Sequence, residues 1–152
     1  MKRYILPVLA TATLAVAAPS DAQNNRSDAI ALVDKAVANI QKKGIEDACK
    51  DFADAKSGYI KGDLYVFVHN DSASMICHAT NPKLNGRAMV ELKDADGKFF
   101  VKEMRDRAMA GESAWINYIW LNPVTKALEE KSSYVRKATN QYWVGVGIYQ
   151  KK

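Results

Sequence analysis

His69, His78, Arg87 and the cysteines Cys49 and Cys77 are the residues whose types could do chemistry. Imidazole and thiolate are good zinc ligands, so His69, His78, Cys49 and Cys77 invite a metal reading. No CxxC or HxxxH spacing supports it. Cys77 and His78 are adjacent, and adjacent residues of a strand point to opposite faces. A shared ion is therefore not expected. "DADGKFFVKE" (94–103) invites a calcium reading, because Asp94, Asp96, Gly97 and Glu103 keep EF-hand spacing. The first ligand position would be Leu92, which offers no oxygen, and such a loop needs that carboxylate. Asp96 is better read as a helix cap, with Gly97 permitting a tight turn. No serine sits in a nucleophile elbow, and no cysteine–histidine pair has an orienting acid. No enzyme is indicated, and no cofactor is implied.

The stretch "CHATNPKLNGRAM" (77–89) holds His78 and Arg87 at either end of two turn signals, Asn81-Pro82 and Asn85-Gly86. The elements around it must position them. Ile30, Val33, Val37 and Ile40 recur at helical spacing over 27–43, with Ser27 or Asp28 to begin the helix and Gly44 to end it. A shorter helix is expected over 45–54. From Asp63 the period becomes two. "LYVFVH" (64–69) and "MICHA" (75–79) read as a hairpin around "NDSAS". A long connection follows, with a helix near 97–110. Three further strands are expected at 113–120, 131–138 and 142–149. On the first of these, Ile116, Tyr118 and Trp120 share one face, and Trp115, Asn117 and Ile119 the other. Gly145 and Gly147 share a face of the last strand, where a helix or a ligand can approach the backbone closely. Helices followed by antiparallel strands make an α+β fold with a five-stranded antiparallel sheet.

The chain has 152 residues, 48% of them hydrophobic, which suits one domain with a packed core. Lys2 and Arg3, the apolar run 4–18 and the small residues before Gln23 have the layout of a secretory signal peptide over 1–22, leaving 23–152 as the mature domain. Cleavage takes the formal charge from +5 to +4 (20 basic less 16 acidic residues). The lysines are interleaved with acids, so nucleic acid is not an expected partner. Export places the protein in the periplasm or outside the cell, where disulfides persist. Cys49 and Cys77 then form a bridge or remain two buried thiols; sequence leaves both open.

Three segments occur together and in order: His-x-x-Asn-Pro-x-Leu-x-Gly (78–86), Asp-x-Asp-Gly-Lys-x-Phe (94–100) and Asn-Pro-x-Thr…Lys-Ser-Ser-Tyr-Val (122–135). With them the chain resembles the single Cache domain, type 2, an extracytoplasmic sensor module with a PAS-like sheet. The resemblance spans about 27–150. It implies a long N-terminal helix on one face of the sheet, and a helical and loop cover enclosing a small-molecule pocket on the other. It implies binding of a small organic acid, with His78, Arg87, Trp115, Tyr118, Lys131 and Tyr134 as ligand-site residues. Lys131 and Tyr134 cannot both point inward along a regular strand. Because the given chain ends after its last strand, a soluble, stand-alone binding protein is expected, signalling through a membrane sensor. The alternative is a pocket-less module that docks on such a sensor or chemoreceptor.

Overall fold

A computed structural model of the chain describes residues 24–150; the expected leader over 1–22 lies outside them. Helix α1 (Arg26–Lys43) carries Ala29, Val33, Ala36, Val37 and Ile40 on its buried stripe. Its N-cap is Asn25 rather than Ser27 or Asp28. The Asn25 side chain accepts from the Asp28 N–H, and the Asp28 carboxylate accepts from the Asn25 N–H, so two orphan donors are satisfied reciprocally. Gly44 ends the helix at φ +82°, a conformation that favours glycine. Helix α2 (Ile45–Ala53) follows at once.

Six strands fill five positions. Strands β1 (Ile60–Lys61) and β3 (Met75–His78) pair with successive stretches of the same edge of β2 (Leu64–Asn70). The order continues through β6 (Tyr142–Tyr149), β5 (Leu128–Lys137) and β4 (Ala114–Leu121), all antiparallel. The fold is α+β, as the sequence predicts.

Alternation sorts the sheet into two faces. Val66, Val68, Val144 and Val146 face α1, which lies over β6, β5 and β2. Tyr65, Phe67 and His69 face the other way, toward α3 (Phe100–Met109) and the loop that precedes it. One irregularity matters. His69 pairs with Met75 but Val68 with Cys77, so Ile76 is an extra, unpaired residue of β3. That bulge brings both Met75 and His78 onto the cavity face despite their odd spacing.

The loop before α3 is organised differently from the expected cap. No side chain caps α3, so Asp96 does not play that part. Asp94 does the work instead: its carboxylate accepts from the Asp96, Lys98 and Ile119 N–H groups and thereby ties the loop to β4. Gly97 sits at φ +80°, which is why glycine occupies that turn.

Cys49 of α2 and Cys77 of β3 form a disulfide with Cα atoms 5.9 Å apart. Cys77 thus faces α2 while its neighbour His78 faces the cavity. A bridge closing a 28-residue separation restricts the unfolded chain by about 3–4 kcal/mol. Replacing both cysteines by serine is expected to lower unfolding stability by about that amount. The measurement is the unfolding free energy extrapolated to zero urea, with the m-value fitted separately for each form.

Candidate ligand-binding site

The cavity lies between the sheet and α3. Its sheet side is Tyr65, Phe67, His69, His78, Tyr118, Trp120 and Lys131; Phe100, Val101 and Met104 of α3, with Met75 and Met89, close it. Its enclosed volume is about 20 Å³, room for about one water molecule. That is far below the roughly 300–1,000 Å³ of drug-sized sites, so a ligand enters as the side chains that close it move apart.

Lys131 is the least expected residue in it, being 1% exposed. It reaches there because β6 has no side chain in the way. A β-carbon on Gly147 would lie 2.4 Å from Lys131 Cε and 2.2 Å from Ser133 Oγ. Likewise a β-carbon on Gly145 would lie 2.1 Å from Phe67 Cζ. The two glycines therefore admit cross-strand side chains, not a packed helix as the sequence suggests.

Lys131 Nζ donates to Tyr65 Oη at 2.7 Å. It lies 4.0 Å from the Tyr65 ring centroid, 4.9 Å from Tyr149, 5.5 Å from Phe67 and 5.9 Å from Tyr118. No carboxylate among the described residues is bonded to it. Burial holds its pKa well below the ordinary lysine value, and the charge of Asp63 only partly opposes this. Tyr65 and Tyr149 are 3.2 Å apart at their hydroxyls, and Tyr149 donates to the Leu121 carbonyl at 2.9 Å. Tyr118 and Ser133 hydroxyls pair at 3.0 Å. Burial pushes the Tyr65 and Tyr118 phenols up, so both stay neutral; Tyr65 donates its proton to Tyr149, whose own goes to Leu121, and Tyr118 can donate where Ser133 donates to it.

His78 Nδ1 accepts from the Asn81 N–H at 3.1 Å. The proton of the neutral ring is therefore on Nε2, which makes that nitrogen a donor. Burial, reinforced by Lys131, lowers its pKa to about 3. His69 is also lowered to about 3, by burial first and by His78 second.

Of the residues implied by the resemblance, the structure brings His78, Tyr118 and Lys131 together. Trp115 and Tyr134 are cross-strand partners on the opposite face, their rings 5.4 Å apart, with the Arg26 guanidinium 4.4 Å from the indole. Strand parity puts them there: each lies an odd number of residues from Tyr118 or Lys131. Arg87 is exposed on the loop and is not among the residues lining the cavity. Its backbone, rather than its charge, is used: its carbonyl accepts from the Met75 N–H at 2.9 Å. Tyr65, Phe67 and His69 are three β2 residues in the lining that the resemblance does not supply. The period-two pattern of "LYVFVH" already places them on one face.

A Cache domain family model matches residues 20–152. The chain belongs to the Cache domain family. Over 88 residues, 57% of the chain, it is 30% identical to the methyl-accepting chemotaxis protein McpP of Pseudomonas putida. It is 31% identical over the same length to the sensor histidine kinase MctS of Rhizobium johnstonii. The matched stretches are 16% and 19% of those proteins' own lengths. A Cache chemosensory domain described for carboxylic acid recognition superposes with a TM-score of 0.72 at 22% identity, covering 82% of this chain and 92% of that one. A methyl-accepting chemotaxis protein from Vibrio parahaemolyticus superposes at 0.69 and 21% identity, covering 82% and 87%. At that identity the structural likeness speaks to the fold. Cache domains are extracytoplasmic sensory modules, and no described helix here is long and apolar enough to cross a membrane.

The two buried histidines set an acid limit on the Cache fold. Their folded pKa values lie below the unfolded 6.5, so the unfolded chain takes up protons first. The histidines' contribution to stability is full above pH 6.5 and falls as pH drops toward 3. The slope is about 1.4 kcal/mol per pH unit for each histidine once pH is well below 6.5. Urea unfolding between pH 6.5 and 5 is expected to show it, and His69→Phe is expected to lower the slope by one histidine's share.

Proposed function

We propose that this Cache domain binds a small carboxylate in the cavity over Lys131. The observation that carries this is a fully buried ammonium site with aromatic and hydroxyl neighbours and no anionic partner among the described residues. A carboxylate supplies the missing charge. Lys131 then makes a charge-assisted bond, and His78 Nε2 and the Tyr118 hydroxyl add donors. The likeness to a domain described for carboxylic acid recognition supports the same chemistry. Arg87 is a further proposed contact, reached only by a movement of its loop. Trp115 and Tyr134 would contribute from behind the sheet, by holding β4 and β5 in register. The protein would act after export and cleavage behind Ala22, as a soluble ligand-binding protein that reports to a membrane sensor.

A second reading takes its support from the β4–β5 hairpin. There Leu121, Val124 and Leu128 are 48%, 61% and 62% exposed. In that reading the hairpin docks on a membrane sensor or chemoreceptor, and ligand binding is lost. Calorimetry with short organic acids decides between them, since the docking reading expects no heat from any of them.

Lys131→Met is expected to weaken the best acid by about 10- to 100-fold, the worth of a charged hydrogen bond. An unchanged affinity would sink the carboxylate reading. Above the free-state pKa of Lys131, which burial lowers, binding should also take up a proton because the bound anion favours the ammonium. Affinity is therefore expected to fall as pH rises through the free-state pKa of Lys131. Calorimetry in two buffers of different ionisation enthalpy reads the proton count.

A further inference from the structure

Among the described residues that line the cavity, His69 has two buried polar atoms with nothing to bond. Both ring nitrogens are buried without a hydrogen-bond partner. The residue is 2% exposed, and it faces the cavity. Leaving a buried donor or acceptor unmade costs about 1–3 kcal/mol. A phenylalanine would fill the same space without that cost. The ring is also held in one plane. It stacks on Trp143 at 4.4 Å and 7°, and Phe67 meets it edge-on at 5.8 Å. The indole is anchored in turn, its Nε1–H donating to the Asn70 carbonyl at 3.0 Å. A fixed, unsatisfied imidazole pointing into a cavity is arranged for a ligand rather than for packing.

Its position says which part of a ligand it meets. His69 is four residues beyond Tyr65 on β2, and Tyr65 receives the Lys131 bond. The Phe67 ring lies between them, 5.5 Å from Lys131 Nζ and 5.8 Å from the His69 ring. A ligand whose carboxylate sits at Lys131 extends over Phe67 toward His69. We propose that His69 is the second recognition group of this cavity, bonding an uncharged hydroxyl or carbonyl that the ligand carries away from its carboxylate. The inference rests on the carboxylate reading for the first contact. A second carboxylate is the wrong partner, because the imidazole is neutral at physiological pH and its surroundings are apolar. Plain fatty acids leave the nitrogens unpaired. The fitting class is a short 3- or 4-hydroxy or oxo acid.

Calorimetry with butyrate, 2-hydroxybutyrate, 3-hydroxybutyrate and 4-hydroxybutyrate tests this on the protein and on His69→Phe. The protein is expected to prefer the 3- or 4-hydroxy acid over butyrate by about tenfold or more, as sites built for a hydroxyl do. His69→Phe is expected to erase that ratio, and His69→Asn to restore part of it. If the ratio is absent in the protein, or persists in His69→Phe, the assignment fails while carboxylate binding stands. A buried water occupying the nitrogens would give that result. If no acid binds but butane-1,3-diol or 4-hydroxybutyramide binds in a His69-dependent way, the carboxylate reading fails and the His69 assignment stands. If none of these compounds binds, both fail.

Discussion

A lysine buried beneath four aromatic rings, with no carboxylate bonded to it among the described residues, is the constraint on which this structure turns. Taking an ammonium out of water costs several kcal/mol even after relaxation. One hydrogen bond from Nζ to Tyr65 and cation–π contacts of about 0.5–2 kcal/mol apiece offset part of that. The remainder explains why the amine is held well below its usual pKa, and why an arriving anion has so much to gain. The same low dielectric that penalises the empty site strengthens the filled one. On the proposed carboxylate reading, recognition and the cost of the unliganded fold have a single source.

The rest of the fold exists to keep that site intact. Gly145 and Gly147 remove β6 side chains from the path of Phe67 and Lys131. Asp94 ties the loop before α3 to β4, the strand that carries Tyr118, at the neighbouring Ile119. The bulge at Ile76 turns Met75 and His78 to the same side, and the Cys49–Cys77 bridge holds that strand from behind. The methionines that close the cavity, Met75, Met89 and Met104, have the rotamer freedom to admit a ligand into narrow crevices. A rigid sheet and a soft lid are thereby assigned to different residues.

Such an arrangement suits a Cache domain. In the proposed function, ligand arrival would change charge at Lys131 and packing under α3, while α1 lies on the far side of the same sheet. β5 connects them, because Lys131 and Tyr134 are on one strand and opposite faces. The residues behind the sheet, Trp115, Tyr134 and Arg26, meet where a movement of β4 and β5 would reach α1.

The sequence by itself determined the elements and their faces. Period-three-to-four apolar spacing marked α1, and period two marked the hairpin and the last three strands, because burial on one side imposes those repeats. It also determined that Cys77 and His78 diverge, and that Lys131 and Tyr134 cannot share a face. Local pattern missed the cap at Asn25, since capping depends on where the chain enters the helix. It missed the work of Asp94, whose third partner, Ile119, is distant in sequence. Only the tertiary structure decided which face holds the cavity, and hence that Lys131 and Tyr118 line it while Trp115 and Tyr134 do not. Only it showed His69 unpartnered, because a missing hydrogen bond is a property of every neighbour at once and no spacing along one strand can express it.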